Sequence, residues 1–422
     1  MADAVVQLQC SVIVSFPIFA RRSSYFFRIN QSKKNAWGKK GRHSVAAQLW
    51  SKTPGQDPID ESQIYSEVMW MGTHPSSPSY LLSTGEPLAE YLRDNPQLVG
   101  KAVLDRYGPE IPFFTKIISF AKALKLQIHP DRTLAQRLHE QVPDRPGDVR
   151  RKPEIAIALS KFELLAGFKP LEDIRGLFRL RPLEQFVPSQ SDFTNATLRQ
   201  VCTNISSASP EDIASIIIEL QSIPESQFGA YPYIPGLLCR LSKQDAGPDN
   251  ETLLTTLLMN HIILGPGDAL YVPEDSVHVY LEGDVIECMA RSDSVISTGF
   301  CPAPRDDSEL FKSLTFVPRG AETALLPRCK SDKGVHGKTD AYAPPSSEFT
   351  VLCTCLGAGE KESHKAIRGP SLVIVVKGHG AMQIPGNESV RLSEGYVFFV
   401  GQGVALHLSS DKGIAIYRAY AE

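Results

Sequence analysis

The chain has 422 residues, which suggests two to four domains at about 100–200 residues per domain. A hydrophobic fraction of 42% and a charged fraction of 22% are close to those of globular proteins and exclude a disordered, collagenous or coiled-coil chain. Because 44 Lys and Arg nearly balance 47 Asp and Glu, the net charge is −3 and no overall basic field attracts nucleic acid or an anionic membrane. An anionic ligand must therefore be bound by a local cluster of cations.

The amino-terminal residues 5–20 form an apolar run that precedes Arg21 and Arg22. A secretory signal has its basic residues before the apolar run, so this order argues against secretion. The run is also too short and too polar to span a bilayer, and no other run approaches about 18 apolar residues. We predict a cytoplasmic protein without membrane contact, with a mitochondrial presequence as the alternative.

Two segments show the periodicity of helices. Apolar residues in 111–125 recur at helical spacing, and 212–220 follows the start signals Ser209 and Pro210. These patterns predict a helix in each segment, and the wider region 153–259 is predicted to be mostly helical.

The second half of the chain is richer in strand patterns. Short strands, bounded by Gly, Pro and Asp, are predicted at 269–272, 278–281, 285–290, 349–356, 371–377, 397–400 and 413–419. The polar stretch 328–345 between them is predicted to be an exposed linker. Two β-rich units with closely spaced strands are typical of small barrels or sandwiches and indicate a duplicated barrel.

The cysteines are scattered along the chain, and none forms a CxxC pair. Most lie among apolar residues, which is typical of reduced core cysteines in a cytosolic protein rather than of a disulfide framework. Cys353 and Cys355 lie two residues apart, so their side chains point to the same face if this segment is a strand.

The segment Leu126-Gln127-Ile128-His129-Pro130 carries the most informative side chains. Its alternation predicts a strand on which Gln127 and His129 project from one face. A Gln oxygen and a His nitrogen at this spacing can bind one divalent ion. A His beside a Pro is more often a hydrogen-bonded turn residue, so the pair alone is weak evidence of a metal site.

Three further residues have both a structural and a functional interpretation. Glu154 precedes an apolar stretch, where a solvated or helix-capping carboxylate is the usual interpretation. His278 begins a strand after a turn, strand and second turn, which is how cupin-type barrels present a metal-binding His at the barrel mouth. Glu287, bracketed by apolar strand residues, either faces solvent or serves a site.

These segments belong to an ordered series of motifs that extends over nearly the whole chain. The series contains Trp37-Gly38-Lys39-Lys40, Trp70-Met71-Gly72-Thr73-His74-Pro75, Gln127-Ile128-His129-Pro130-Asp131, Lys152-Pro153-Glu154, Pro266-Gly267-Asp268, His278-Val279-Tyr280-Leu281, Ile286-Glu287-Cys288-Met289-Ala290, Gly378-His379-Gly380 and Tyr417-Arg418-Ala419. In this series the chain resembles the type I, zinc-dependent phosphomannose isomerases (mannose-6-phosphate isomerases), in their fungal-like form.

The resemblance implies a mainly β fold with a helical insert, made of two cupin-like (jelly-roll) β-barrels plus an α-helical domain. The expected domains are an N-terminal catalytic cupin barrel at 1–159 and 259–319, a helical insert at 160–258 and a C-terminal cupin barrel at 320–422. The resemblance further implies a monomeric enzyme of carbohydrate metabolism that supports GDP-mannose biosynthesis. Its expected partner is a sugar phosphate or related small metabolite, with no nucleic acid or membrane.

The family interconverts mannose 6-phosphate and fructose 6-phosphate through a cis-enediol. By position, the resemblance assigns one Zn²⁺ per chain to Gln127, His129, Glu154 and His278, which are nitrogen and oxygen ligands suited to zinc. The proton-transferring base stays open among Glu287, Tyr280, Asp293 and zinc-bound hydroxide, and Lys152 is expected to be a further catalytic residue. Substrate binding is expected at a further set of residues: Trp37, Lys125, Arg150, Arg151 and Arg291.

The departures from the family fall on the substrate side. This chain has Ser297 and Ala303 where the family has a catalytic Arg and a Lys, and Lys125 where the family has a phosphate-contacting Ser. Losing two charged contacts is expected to cost several kcal/mol, since each is worth roughly twice a neutral hydrogen bond. The remaining cations either restore anion binding in altered geometry or mark a different substrate.

Two alternatives follow from these departures. One is a diverged paralogue whose zinc site acts on another small metabolite, as a specialised-metabolism isomerase or a cyclase-like enzyme. The other is a non-catalytic homologue that binds a sugar phosphate. A further departure is the interruption at residues 13–30, which is either a surface loop or a gene-model error; its apolar content favours the error.

Overall fold

The structure is a computed structural model. It describes residues 4–10, 35–131, 133, 135–136, 140, 151–188, 192–244, 249–292, 294–298, 316–345, 348–386 and 389–422. The interruption predicted at 13–30 lies outside the described residues.

The helices lie in two parts of the chain. Three short helices precede the first long strand: α1 (Val45–Lys52), α2 (Leu88–Asp94) and α3 (Lys101–Tyr107). Five more form a continuous helical region: α4 (Leu171–Leu177), α5 (Asn195–Ser206), α6 (Pro210–Ser222), α7 (Ile234–Leu241) and α8 (Asn250–Leu258). None of these described helices combines the length and apolar character that crossing a bilayer requires.

The strands run from one end of the described chain to the other. The first eleven are β1 (Val5–Gln9), β2 (Lys39–Lys40), β3 (Ile64–Tyr65), β4 (Met69–Met71), β5 (Tyr80–Leu81), β6 (Phe113–Phe120), β7 (Leu126–Ile128), β8 (Glu154–Ala158), β9 (Phe162–Phe168), β10 (Met259–Leu264) and β11 (Ala269–Val272). The next eleven are β12 (Val277–Ala290), β13 (Ile296–Thr298), β14 (Cys329–Lys330), β15 (Thr339–Tyr342), β16 (Thr350–Leu356), β17 (Glu360–His364), β18 (Ser371–Gln383), β19 (Ser389–Ser393), β20 (Val397–Val400), β21 (Leu406–Ser410) and β22 (Ile414–Tyr420).

Two large antiparallel sheets contain all of these strands except the β2–β3 pair. The first sheet contains β4 and β6–β13, and the second contains β1, β5 and β14–β22. The predicted mainly β class with a helical part is confirmed. In the pairings of the described residues both sheets are open rather than closed barrels.

The long strand β12 organises the first sheet. Its amino-terminal half pairs with β7 and β9, and its carboxyl-terminal half pairs with β6 and β8. Val277, Val279 and Leu281 pack into the core of the helical region, so the intervening His278 and Tyr280 point away from the helices.

A β-bulge changes the alternation within β12. Tyr280 pairs with Leu164 and Glu282 pairs with Glu163, so one extra residue, Leu281, is inserted on the β12 side. An extra residue exchanges the two faces of the strand beyond it. Glu287 lies nine residues after His278, an odd separation that would place the two side chains on opposite faces of a regular strand. Because of the bulge, both side chains face the same side of the sheet.

One hydrophobic core joins the two sheets. It contains Phe113 and Ile286 from the first sheet together with Tyr342 and Phe399 from the second, all nearly inaccessible to solvent. The amino-terminal strand contributes Leu8 to this core and pairs with both β20 and β5 of the second sheet. Sequence-distant segments thus share one apolar interior.

Two secondary-structure predictions are wrong. The segment 111–125 contains the strand β6 instead of a helix. A strand that is buried on both faces is apolar at nearly every position, so helical spacings also occur in it, while its Thr and Ile residues favour a strand. The segment 328–345 is not an exposed linker, since β15 pairs with β14 and β16 and its Thr339 and Tyr342 are 0% exposed. Polar residues are buried there because their hydrogen bonds are satisfied.

Several other predictions are confirmed. The helix at 212–220 is α6, whose amino terminus is capped by Ser209 accepting a hydrogen bond from the Asp212 amide. The strands at 269–272 and 397–400 have the predicted bounds. The predicted strands 278–281 and 285–290 are two halves of the single strand β12, and the region 153–259 begins with two strands, β8 and β9, before its helices.

Candidate metal centre

Three buried side chains from different strands converge at the inner end of a cavity. His129 directly follows β7, Glu154 begins β8 and His278 lies near the start of β12. Nε2 of His129 lies 2.9 Å from Oε2 of Glu154, and Nε2 of His278 lies 3.2 Å from Oε1. The two imidazole rings stack with their centroids 5.0 Å apart. One ligand atom from each residue lies within 4.8 Å of the others, and no other such group of three occurs among the described residues.

The hydrogen bonding of the histidines fits a metal centre. His129 is 0% exposed, and neither of its ring nitrogens makes a hydrogen bond of acceptable geometry in the described structure, although Nε2 lies close to the Glu154 carboxylate. Buried polar atoms are rarely left without a partner unless an ion or water completes them. Burial lowers the pKa of His129 to about 4, so the imidazole is neutral and its lone pair is available to a cation. Two imidazoles and a carboxylate form a donor set that catalytic zinc sites use.

The carboxylate of Glu154 is held ionised at the centre of this cluster. Burial by itself would raise its pKa, but His129 and His278 outweigh that effect and hold the pKa well below its usual value. The hydroxyl of Tyr280 donates a hydrogen bond to Oε1 of Glu154 over 3.2 Å. Burial and the adjacent carboxylates raise the pKa of Tyr280 well above its usual value, so it stays a neutral donor.

Gln127 lies in the strand next to these ligands. Its backbone is paired with His278 on one side and with Ser297 on the other. Directly opposed residues of antiparallel strands have their side chains on the same face. Gln127 and His278 both line the cavity, so the amide of Gln127 is positioned beside the three-residue cluster.

The cavity in front of the cluster has a volume of about 290 Å³. Its wall contains ionisable and polar groups between apolar side chains: Asn35, Trp37, Glu67, Lys116, Ile118, Leu124, Lys125, Gln127, Lys152, Glu154, His278, Tyr280, Glu287, Met289 and Val295. Four strands of the first sheet, β6, β7, β8 and β12, supply most of this wall. The volume suits a small polar molecule.

Opposite the histidine cluster lies a second charged group. Nζ of Lys116 is 3.3 Å from Glu67 and 3.9 Å from Glu287, and it stands 3.9 Å above the centre of the Trp70 ring. Burial and the charge of Glu154 raise the pKa of Glu287 to about 8, although Lys116 opposes the shift. The carboxyl group of Glu287 can therefore exist in both protonation states near neutral pH, as a proton-transferring group must.

Some of the site residues predicted from the sequence line the cavity, and others form ion pairs elsewhere. Trp37, Lys125 and Lys152 line the cavity with Gln127, Glu154, His278, Tyr280 and Glu287, whereas His129 is buried behind Glu154. Arg151 forms ion pairs with Glu348 at 3.0 Å and with Glu274 at 3.5 Å, and Arg291 pairs with Glu110. Arg150, Asp293 and Ala303 lie outside the described residues.

Sequence reasoning missed Lys116 and Glu67. Lys116 lies within the run that was predicted to be a helix, where it looks like a residue on a solvated face. As part of a strand, Phe114, Lys116 and Ile118 alternate onto one face, and that face borders the cavity. A single Lys in the middle of an apolar run was the available signal.

Comparisons with known proteins agree with this geometry. The family model described as phosphomannose isomerase type I, catalytic domain, matches residues 26–171. The mannose-6-phosphate isomerase of Schizosaccharomyces pombe is 33% identical over 92% of this chain and 98% of its own length. That of Saccharomyces cerevisiae is 32% identical over 95% of this chain and 99% of its own length.

Solved structures show the same fold. The apo form of mannose 6-phosphate isomerase from Salmonella typhimurium superposes with a TM-score of 0.78 at 23% identity, with full coverage of both chains. A zinc-bound mannose 6-phosphate isomerase gives 0.78 at 22% identity, again with full coverage. The sequence motifs, the fold and the full-length relatives lead to one conclusion: this chain belongs to the type I phosphomannose isomerase family.

Proposed function

We propose that the protein is a zinc-dependent aldose–ketose isomerase that interconverts mannose 6-phosphate and fructose 6-phosphate. The observation that carries the proposal is the buried His129, Glu154 and His278 cluster at the end of a charged cavity, in a chain of this family. In the proposed centre Gln127 is the fourth ligand. Zinc bound there would supply a Lewis acid that stabilises negative charge developing on the substrate oxygens.

The chain's own residues then transfer a proton between two neighbouring carbons of the sugar. We assign this role to Glu287, because its carboxyl group faces the cavity across from the metal ligands and lies beside Lys116. The ammonium of Lys116 stabilises the carboxylate after the proton leaves. Tyr280 holds Glu154 in place, and Lys152 adds a cavity-facing cation that can orient a sugar oxygen.

The residue that we assign to the phosphate is Lys125. Lys125 lines the cavity and forms no ion pair with a carboxylate among the described residues. Lys116, by contrast, is already paired with Glu67. A Lys whose charge is not compensated is suited to a phosphate dianion. Trp37 provides an apolar wall against the sugar ring.

We assign a positioning role to the remaining arginines. Arg151 pairs with Glu348, which lies just before β16 of the second sheet, so it fixes the backbone that leads into Lys152 and Glu154. Arg291 pairs with Glu110 and its amide donates to the Pro112 carbonyl, which anchors the end of β12. Arg150 and Asp293 keep their sequence-based assignments as substrate-binding and catalytic candidates.

The decisive experiment measures fructose 6-phosphate formed from mannose 6-phosphate by the purified zinc-loaded protein. Glu287→Gln should lower kcat about 10²- to 10⁴-fold, which is the usual contribution of a general acid–base group. The variant should retain its zinc. The exposed Glu282→Gln on the same strand is the control. Full activity in Glu287→Gln would exclude Glu287 as the base.

The phosphate assignment has a separate test. Lys125→Gln should raise KM for mannose 6-phosphate about 10- to 100-fold with a smaller change in kcat, because a hydrogen bond to a charged group is worth about 1.5–3 kcal/mol. Lys161→Gln, at an exposed lysine outside the cavity, is the matched control. An unchanged KM in Lys125→Gln would contradict the assignment.

A second candidate function is isomerisation of a different small metabolite. The observation that favours it is Ser297, which is paired in register with Gln127 and so lies on the cavity side, where the resemblance expects Arg. If mannose 6-phosphate is the substrate despite this change, Ser297→Arg should leave the reaction intact or accelerate it. If the unmodified protein binds zinc but does not convert mannose 6-phosphate, the alternative substrate is supported, and a screen of other sugar phosphates follows.

We further propose a division into a catalytic part, a helical insert and a carboxyl-terminal part, close to the limits 1–159 with 259–319, 160–258 and 320–422. The amino-terminal strand β1 is the exception, since it pairs within the second sheet. We also propose a monomer in the cytoplasm, acting in the supply of GDP-mannose, without nucleic acid or membrane partners. Free thiols at all seven described cysteines agree with a reducing compartment.

A further inference from the structure

A pair of cysteines lies in the second sheet, apart from the candidate metal centre. Cys353 and Cys355 alternate along β16 and therefore project from the same face. Their Sγ atoms are 3.9 Å apart. Cys355 is exposed to solvent, whereas Cys353 is only 2% exposed. One thiol is thus accessible to a reagent, and the other is positioned directly behind it.

The surroundings make the two thiols chemically different. The hydrogen bond from Cys353 lowers the pKa of Cys355 to about 6, and the positive charge of Arg328 adds to this shift. The same hydrogen bond and burial raise the pKa of Cys353. Arg328 and Lys330 are anchored beside the pair by ion pairs with Asp340, which opposes Cys353 in the neighbouring strand. Cys355 is therefore a thiolate at neutral pH and Cys353 a thiol.

We propose that Cys355 and Cys353 form a reversible oxidation site, in which Cys355 reacts with a hydroperoxide and Cys353 captures the product as a disulfide. The Cys355 thiolate attacks one peroxide oxygen, the O–O bond breaks, and the leaving oxygen departs with the electron pair and takes up a proton. Cys355 becomes a sulfenic acid while the peroxide is reduced. The sulfur of Cys353 then attacks the sulfur of Cys355, the S–O bond breaks, and the hydroxyl leaves as water with the Cys353 proton.

The strand geometry makes this disulfide easy to reduce. Residues two apart in a strand have Cα atoms about 6.4–6.8 Å apart, at the upper end of the range of about 4.4–6.8 Å that disulfides tolerate. Closing the bond requires β16 to bend. The intervening Thr354 resists bending, because it is buried and its hydroxyl bonds Nε2 of His364 at 2.8 Å. A strained disulfide reacts readily with small thiols, so the oxidation is reversible.

A metal site at the pair is the less favoured use of these thiols. A structural zinc site needs four ligands, and no cluster of three or more metal-binding side chains includes Cys353 or Cys355 in the described part of the chain. The pair also lies in the second sheet, whereas His129, Glu154 and His278 belong to the first. The oxidation site is therefore independent of the proposed isomerase activity.

The experiment treats the reduced full-length protein with hydrogen peroxide at pH 7 and follows each cysteine by differential alkylation and peptide mass spectrometry. We expect the peptide that contains Cys353 and Cys355 to lose two hydrogen atoms and to regain them with dithiothreitol. Cys329 is the internal control, since it is also exposed in the second sheet. Cys355 should react at least about tenfold faster than Cys329, because the thiolate form of Cys355 is stabilised by its hydrogen bond with Cys353 and by Arg328. Equal rates would overturn the proposal.

Two variants separate the two steps. In Cys353→Ser, Cys355 should accumulate as a sulfenic acid that dimedone traps, because the capturing thiol is missing. In Cys355→Ser, both the dimedone adduct and the disulfide should be absent. A Cys353→Ser protein that keeps its melting temperature but gives no adduct would contradict the assigned order. If the buried substitution Cys353→Ser unfolds the protein, the relative oxidation rates of Cys355 and Cys329 in the unmodified chain still test the proposal.

Discussion

At the scale of single residues, buried charges in the cavity occur beside groups that compensate them. Lys116 lies between Glu67 and Glu287, and Glu154 lies between two histidines. An isolated charge at this depth would be expensive, so each is retained because its neighbours stabilise it. Replacing one charged residue of either group should therefore destabilise the charges of its neighbours. At the histidine cluster it should also lower the affinity for the metal.

The first residue-scale prediction concerns the metal. Purified protein should contain about one zinc per chain, and His278→Ala should lose most of it, because the variant has one imidazole fewer at the centre. The measurement is metal analysis after dialysis, combined with competition against a chelator. His379→Ala, which removes an exposed histidine of the second sheet, is the control. An intact protein without zinc would refute the metal centre.

The second residue-scale prediction concerns Asp275, in the turn between β11 and β12. Its φ of 59° is the only left-handed value at a non-glycine residue in the described chain, and its amide donates to the carbonyl of His129 over 2.7 Å. A β-branched side chain is strongly disfavoured in this region, whereas Gly adopts it freely.

Asp275→Val should therefore weaken zinc binding and lower the melting temperature, because it shifts the turn that fixes His129. Asp275→Gly should keep the backbone and retain zinc binding. Chelator competition and thermal unfolding of the two variants provide the measurement. Similar zinc affinities of the Asp275→Val and Asp275→Gly variants would show that this turn does not position His129.

At the scale of elements, ion pairs and capping groups attach the helical region to the first sheet. Glu163 of β9 binds Arg240 of α7 through two hydrogen bonds and contacts His261 of β10 at 2.6 Å. The buried ammonium of Lys169 donates to the carbonyls of Thr256 and Leu257 at the end of α8. These contacts satisfy the polar groups where helices meet strands.

The element-scale prediction is a pH dependence of stability. Burial opposes ionisation of Glu163, but His261 and Arg240 outweigh it and lower the pKa to about 2. The unfolded value is about 4.3, so the stabilisation by Glu163 is complete above that pH and is lost as the pH falls towards 2. Urea unfolding should show Glu163→Gln to be less stable by up to about 3 kcal/mol at pH 7, with a smaller difference at pH 3.

The control for this prediction is Glu282→Gln, at an exposed carboxylate 3.8 Å from the same Arg240. Its effect should be within about 0.5 kcal/mol at either pH. A constant difference between Glu163→Gln and the unmodified protein from pH 7 to pH 3 would exclude the ion-pair explanation.

At the scale of the whole molecule, the two sheets are joined by contacts between sequence-distant residues. The hydroxyl of Tyr342 in β15 donates to the carbonyl of Gly267 next to β11, and Arg151 reaches Glu348. The amino-terminal strand β1 forms part of the second sheet, although β6–β13, which follow it in the chain, belong to the first. Unfolding of one sheet should therefore destabilise the other.

The whole-molecule prediction follows from β1. Deleting residues 1–10 removes Leu8 from the shared core and the edge contacts of both β5 and β20. Thermal unfolding should show a lower melting temperature, and isomerase activity should decline at lower temperature than in the full chain. Deletion of residues 1–3 alone is the control. A ten-residue deletion without effect would show that β1 does not hold the sheets together.

The sequence by itself determined the family and pointed to the candidate metal ligands. Each family motif consists of a few consecutive residues and can be recognised in the sequence alone, so Gln127, His129, Glu154 and His278 could be selected without coordinates. Helix α6 was also predictable, because its cap and apolar period are local signals. Such features depend on residues within a few positions of one another.

Only the tertiary structure decided which side chains meet. The bulge at Leu281, which brings Glu287 to the same face as His278, depends on pairing with β9, more than a hundred residues earlier in the chain. The strand at Phe113–Phe120 and the position of Lys116 were hidden because a run that is buried on both faces is apolar at nearly every position and therefore also contains helical spacings. The ion pairs of Arg151 and Arg291, and the second-sheet location of β1, likewise arise from long-range packing that local sequence does not encode.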